Sequence, residues 1–287
     1  MTSDMDINLF FDQIEKEVRL REPRLLRLYK NVRGEALFAY SLYKDSFDKI
    51  QSPASKIMEV GGGVMLLSCY LCSINKNVVS IEPTGQGFSE FENLRKVVLS
   101  ASPKKPEIIE MGVEDISIES EFDFAYSINV MEHVDSVSDA LTAIEKALKP
   151  GAEYRFICPN YHFPYEPHFN IPTVITKKWT HALFKKKIYN HPMNDPKGVW
   201  KSLNWITVSL IKKRYKKKKG FSLSFNRDIF AETFLRVKRD KEFSERRSSL
   251  IIHCVNFILK TGLHKLFKYV PLIFVPVMDC RILKSNP

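Results

Sequence analysis

Residues 56–68 read KIMEVGGGVMLLS. An apolar run carrying one acid, Glu59, meets three successive glycines, and a second apolar run follows. Glycine loses more backbone freedom on folding than any other residue, so a triplet weakens a helix and a strand alike. Its use lies where a chain must turn sharply and lie flat against a ligand. Outward from the triplet, KIMEV reads as a strand and LLSCYLCSI as a helix. The alternation then continues through NVVSIEP, the helical FSEFENLRKVVLSA, EIIEMG, FDFAYSINV, the helical DSVSDALTAIEKALK and, after a Lys-Pro-Gly turn, AEYRFICPNY. These spacings fit βαβ crossovers and predict a doubly wound, mostly parallel α/β sheet. Before it, residues 5–50 carry apolar positions at helical spacing (Leu9, Phe10, Ile14, Val18, then Leu25, Leu26, Leu28, Tyr29) broken at Pro23. Two or three helices docked on the core are expected there.

The glycines follow one strand and open a helix, the place where a doubly wound sheet binds a nucleotide-like ligand. The next strand ends in Glu82, about 20 residues on, where a carboxylate can accept both ribose hydroxyls of an adenosine. A third strand ends at GVED and a fourth at NVMEHV. A dinucleotide site would need a GxGxxG loop for its pyrophosphate. Val64, Met65 and Leu66 follow the triplet instead, so a ligand without phosphate fits better.

With these pieces in this order, residues 55–160 resemble the class I S-adenosylmethionine-dependent methyltransferases, in particular the small-molecule branch of the ubiquinone/menaquinone-biosynthesis type. The resemblance implies a seven-stranded Rossmann-like fold, S-adenosyl-L-methionine as cofactor and S-adenosyl-L-homocysteine as product. It assigns Glu59, Val60, Gly61, Gly62 and Gly63 to the motif that packs on the methionine part. Glu82 and Pro83 fall to the ribose, Gly112, Val113 and Glu114 to the adenine, and Asn129 to the methionine pocket. Two departures stand out. The family often has glycine where this chain has Met65. Some relatives hold a divalent metal through ExxEH at the end of strand four, whereas Asn129 replaces the first acid in Asn129-Val130-Met131-Glu132-His133. A hard cation wants several oxygen ligands, so no metal is expected.

Methyl transfer is an in-line displacement, and an oxygen acceptor also needs a base within hydrogen-bond reach. The loop leaving strand five, CPNYHFPYEPHFNIP at 158–172, supplies candidate bases in His162, Glu166 and His168. Tyr161 and Tyr165 are candidates to orient the acceptor or the sulfonium, and His133 at the end of strand four is a further candidate base. A proline-rich loop packed beneath a cap is the competing reading. The H-x3-E-x-H spacing in this loop lacks the preset geometry of a helical i, i+4 pair, which again points away from a metal.

Charge divides the chain. Residues 1–150 carry a net −7 and residues 151–287 a net +18. The expected organisation is N-terminal helices at 1–54, a cofactor-binding core at 55–160, a basic and mainly helical substrate cap at 161–273, and a closing strand at 274–287. The cap holds Trp179, Trp200, Trp205 and the run KKRYKKKKG. A basic half suits an anionic partner. The acceptor is therefore expected to be a small molecule or a glycan- or lipid-linked intermediate, methylated at oxygen. An anionic membrane surface is a second expected partner, because apolar runs alternate with lysines near the C-terminus. Nucleic acid is not expected, since strand four lacks the Asn/Asp-Pro-Pro-Tyr/Phe of base amino-methylases and no RNA-binding module is recognisable. An RNA methyltransferase and a non-catalytic cofactor-binding protein are the alternatives. Five scattered cysteines and an acidic N-terminus without a signal-peptide pattern predict a cytoplasmic protein, peripheral at the inner membrane face. Cys69 and Cys72 are read as buried thiols.

Overall fold

The computed structural model of the protein describes residues 6–83, 89–245, 247 and 249–286. The chain opens with α1 (Ile7–Arg21) and α2 (Leu26–Lys49), separated by a 3-10 turn at Pro23–Leu25. Proline cannot supply the amide that a continuous helix needs, so the break falls where the sequence puts it. Asp6 caps α1, accepting from the amides of Asn8 and Leu9 at 2.8 and 3.2 Å.

The core alternates β1 (Lys56–Val60), α3 (Leu66–Ser73), β2 (Asn77–Ile81), α4 (Ser89–Ala101), β3 (Glu107–Ile109), β4 (Phe122–Ile128), α5 (Val137–Ala147) and β5 (Leu148–Pro159). A two-stranded hairpin of β6 (Tyr165–Glu166) and β7 (Ile171–Pro172) follows. Then come α6 (Lys177–Tyr189), α7 (Pro196–Ser202), α8 (Val208–Tyr215) and β8 (Phe221–Phe225). The chain ends with α9 (Ile229–Arg239), α10 (Lys241–Glu245), α11 (Ser249–Thr261) and β9 (Val277–Lys284).

Seven strands form one sheet in the order β3-β2-β1-β4-β5-β9-β8. β1 to β5 are mutually parallel; β9 runs antiparallel to β5 and β8 antiparallel to β9. The strand order reverses between β1 and β4, and ligands of such sheets sit at the carboxyl ends of the strands beside that point. Strand β8 lies inside the stretch expected as one cap, 161–273. The correction has a simple cause: FSLSF alternates apolar and polar residues, which suits an edge strand. The basic half is thereby divided into a helical segment before β8 and another after it.

Two apolar layers cover the sheet. On one face Phe10, Phe11, Ile14, Tyr29, Phe47 and the α3 residues pack against β1 and β4. On the other, Leu141 and Ile144 of α5 meet Trp200, Ile206, Ile211 and the hairpin residues Phe169 and Ile171. Each such buried side chain contributes about 1.5–3 kcal/mol. The N-terminal helices are thus one wall of the fold, and the segment before β8 is part of the opposite wall. Cys69 and Cys72 are buried and free. Among the described residues no helix is long and apolar enough to cross a membrane.

Candidate active site

The parallel register sets the floor of the site. Glu59 on β1 lies opposite Ser80 on β2 and Tyr126 on β4, so the three side chains share one face of the sheet. Ser80 Oγ and the Tyr126 hydroxyl each donate to the Glu59 carboxylate at 2.9 Å, and Ser68 Oγ donates as well. Glu59 therefore sits beneath the glycine bend and braces it. Burial pushes its carboxyl up to about 7 against the pull of those three hydroxyls.

This position predicts a pH effect. The native carboxyl keeps its proton to about pH 7, while an unfolded one releases it near 4.5. Between those values the folded state binds more protons, so stability falls as pH rises. The contribution lost is of order 3 kcal/mol. Glu59→Gln should remove that slope between pH 5 and pH 8 in thermal melts without cofactor; parallel slopes for variant and parent would contradict it.

Above Glu59 the bend leaves no room for side chains on its inner side. A Cβ on Gly62 would lie 2.1 Å from Ser80 Oγ and 2.8 Å from Glu59 Oε2. Gly61 has φ +70 and a Cβ there would strike Val130 at 2.4 Å. Gly63 has φ +53, yet the nearest atom to its Cβ position is 4.0 Å away, on Phe91. The bend is closed beneath Gly62 and open above Gly63, as a backbone cradle requires. Met65 also stands in the left-handed region, at φ 61, fully buried at the start of α3. The family's glycine at this position answers to that backbone shape, and here a buried methionine holds it.

Glu82 ends β2 and reaches back over the bend. Its Oε2 accepts the Gly63 amide at 3.0 Å, and Arg95 stands 3.8 Å from Oε1. Burial raises its carboxyl, and the Gly63 amide and Arg95 lower it in part. The glycine bend and the ribose-type acid thus converge, and the residues fit the expected cofactor. Pro83, beside it, is exposed.

Other expected contacts lie elsewhere. Val113 is buried, while Glu114 accepts the amides of Asp135 and Ser136 at 2.8 and 3.4 Å, joining the turn that begins at Gly112 to the start of α5. Asn129 has φ 54 and donates through Nδ2 to Glu35 of α2 at 3.3 Å. Glu35 also accepts from Arg236 of α9 at 2.8 Å, and Arg236 bonds Asp240 at 3.0 Å. This chain of charges ties the N-terminal wall to the segment after β8. Nothing in the sequence pairs Glu35 with Arg236, 201 positions apart.

At the end of β4 and in the loop after β5 the structure brings two of the candidate bases, His133 and His168, together with Glu132, which was not a candidate. One ligand atom each from Glu132, His133 and His168 lies within 4.8 Å of the others, and the two imidazoles meet edge to face at 5.2 Å. Asn204 pins the first two, donating to the carbonyls of Met131 and Val134 at 2.8 and 2.9 Å. Glu166 places the third. It is fully buried and accepts from His168 Nδ1 at 2.6 Å, from the His168 and Phe169 amides at 3.2 and 2.7 Å, and from the Tyr161 hydroxyl at 3.2 Å.

Burial pushes Glu132 up to about 7, partly offset by His168, and burial pulls His133 down to about 3. Burial also acts to lower His168, but its hydrogen bond to Glu166 and that carboxylate's charge outweigh it and raise the imidazole.

The other loop candidates do not join them. His162 is exposed, held through its amide by Asn160. Tyr161, expected to face an acceptor, is buried with its ring stacked on Trp205 at 5.4 Å and its hydroxyl on Glu166. Tyr165 bonds Asn170 within the hairpin. Asn204 and Ser202, polar residues in a basic segment, and Glu35 in α2 were missed by sequence reasoning, since none of them carries a spacing signal.

A family model described as a methyltransferase domain matches residues 58–156. Over 276 residues the chain is 41% identical to an uncharacterized protein of Mycobacterium tuberculosis, found in strains CDC 1551 / Oshkosh and H37Rv, covering 96% of this chain and 94% of that protein. A shorter stretch of 78 residues is 32% identical to the tRNA U34 carboxymethyltransferase of Actinobacillus succinogenes, covering 27% of this chain and 24% of that one. The solved S-adenosylmethionine-dependent methyltransferase of Mesorhizobium loti matches with a TM-score of 0.50 at 12% identity, over 84% of this chain and 97% of that chain. At such identity the likeness is one of fold.

Proposed function

The chain belongs to the class I S-adenosylmethionine-dependent methyltransferases, and on that premise we propose that it methylates an oxygen of a small-molecule or glycan- or lipid-linked acceptor carrying negative charge. S-adenosyl-L-methionine supplies an electrophilic methyl group. What the protein must add is alignment, exclusion of water and a path for the acceptor's proton. The supporting observation is the Glu132, His133 and His168 cluster. A hydroxyl must lose its proton as the methyl arrives, whereas an amine can use a free lone pair. Glu132 near neutrality and His168 backed by Glu166 are groups suited to that loss.

Charge and apolar surface support the acceptor class. Lys177, at the start of α6, is near enough to His133 to lower its basicity, and the α8 stretch adds Lys212 and Lys213. In α11 and the turns after it, Phe257, Leu263, Leu266, Tyr269 and Phe274 are exposed among Lys260, Lys265 and Lys268. Such a surface suits an interface with anionic headgroups and a lipid-held acceptor.

The test is methyl-labelled S-adenosylmethionine offered to separate pools of lipid-linked glycans, small acidic metabolites and total RNA. Label is expected in the first or second pool as a methyl ether or ester. Label in RNA or in N-methyl products would contradict the proposal.

A further inference from the structure

We propose that two exposed apolar strips, one on α6 and one on α11 with the turns after it, dock the protein on a bilayer surface rich in anionic lipid, with the site bordering the lipid. The purpose of docking, access to a lipid-held acceptor, rests on the reading above; docking itself does not.

In α6, Trp179 and Leu183 stand four residues apart and so lie one above the other on the helix surface. With Ile175 just ahead of the helix they are 67, 68 and 94% exposed. The opposite side of α6 faces the core: Thr180 and Ile188 are fully buried, and His181 stacks on Trp200 at 5.8 Å. Single exposed apolar side chains are ordinary on a protein surface, whereas contiguous ones mark interaction sites. Among the described residues most of the large exposed ones fall in this strip and in 251–274, where Phe257, Leu266, Tyr269 and Phe274 are each more than half exposed.

Both strips are fixed at the carboxyl edge of the sheet. Asn160, directly after β5, donates to the carbonyls of Leu272 and Val275 at 3.0 and 2.8 Å, which holds the turn bearing Phe274. Lys177 opens α6 near His133, and Lys187 in its last turn donates to the Asn170 carbonyl of the β6–β7 hairpin at 2.8 Å. The charge of Arg247, just ahead of α11, reaches Tyr165 of the same hairpin.

Charge selects the occupant. Residues 167–194 and 246–278 hold ten lysines and arginines and no aspartate or glutamate, in a chain with 33 acids. A second copy of this chain on the same faces would set like charges against each other, at a cost. Anionic headgroups answer both features. Lysine stems lie along apolar surface while their ammonium groups reach the phosphates, and an indole such as Trp179 suits the headgroup level. Each lysine near such a surface strengthens binding about fivefold. The lysine run at 216–219 is a separate feature: Lys218 pairs with Glu145 in the last turn of α5, at the opposite edge of the sheet.

The test is sedimentation of the full-length protein with vesicles of phosphatidylcholine alone or with about one-third phosphatidylglycerol. The parent should bind the anionic vesicles, release at high salt, and show a blue-shifted emission that Trp179→Phe removes while binding persists. Trp179→Ala with Leu183→Ala, Phe257→Ala with Leu266→Ala, and Lys178→Glu with Lys186→Glu should each weaken binding by about 10-fold or more. Lys216→Glu with Lys217→Glu, beyond a screening length from the lipid, should stay within about threefold of the parent. All these residues are exposed, and each variant should bind S-adenosylmethionine within about threefold of the parent, which guards against misfolding. No binding, or equal binding to neutral vesicles, overturns the proposal. So does binding lost only in the Lys216/Lys217 variant, or a dimer or an RNA complex that the strip variants abolish in a protein indifferent to vesicles. Absent docking with label in lipid-linked glycans overturns docking and leaves the oxygen-acceptor reading intact. Docking with label only in RNA or N-methyl products overturns that reading and leaves docking standing.

Discussion

Glu82→Ala is expected to weaken S-adenosylmethionine binding by about 100-fold or more. An ionised carboxylate that accepts two ribose hydroxyls makes two charge-assisted hydrogen bonds of about 1.5–3 kcal/mol each. Every 1.4 kcal/mol is about tenfold in affinity, which gives the stated size. The same substitution strips the Gly63 amide of its 3.0 Å partner, so the bend is loosened as well. Glu82→Gln keeps an acceptor for that amide and loses the charge, and its affinity should fall between parent and alanine variant. Calorimetry decides; an alanine variant within about fivefold of the parent would remove Glu82 from the ribose.

His168→Ala carries the second large effect, a loss in kcat of about 100- to 10,000-fold, the range for removing a group that manages a proton in the transition state. S-adenosylmethionine affinity should stay within about threefold. Glu166 acts through His168, and a merely structural role for it can be told apart. Its charge raises the imidazole, so Glu166→Gln lowers that basicity and moves the acid limb of the pH–rate profile to lower pH. A base must shed its own proton before it can act, which fixes that direction. An unmoved limb with a lowered rate would assign Glu166 to loop architecture alone.

The parts legible in the sequence are those whose requirements are local. The glycine triplet was readable because a Cβ has no space at Gly61 or Gly62 and glycine adopts the left-handed φ of Gly61 and Gly63 without strain. Glu82 was readable because strand length and crossover length fix how far apart two strand ends fall. The alternation of apolar runs gave the parallel core, and Pro23 gave the helix break.

What was hidden depends on contacts distant in sequence. His162 and His168 are the same residue type in the same loop, and only the turn of that loop around buried Glu166 sends one to the cluster and the other to solvent. Tyr161 could not be told from an acceptor-facing residue until Trp205 lay across it. Glu59 carries the motif's acid, but the register with Ser80 and Tyr126 turns it into the floor. Strand β8 hid inside a basic segment because five alternating residues are a weak signal beside so many lysines.

The most direct measurement is a crystal structure with S-adenosylhomocysteine bound. The amino-acid tail is expected over Gly61–Gly63, the ribose hydroxyls on Glu82, and the sulfur facing Glu132, His133 and His168. A product whose ribose lies away from Glu82, or whose sulfur points away from that cluster, would contradict it.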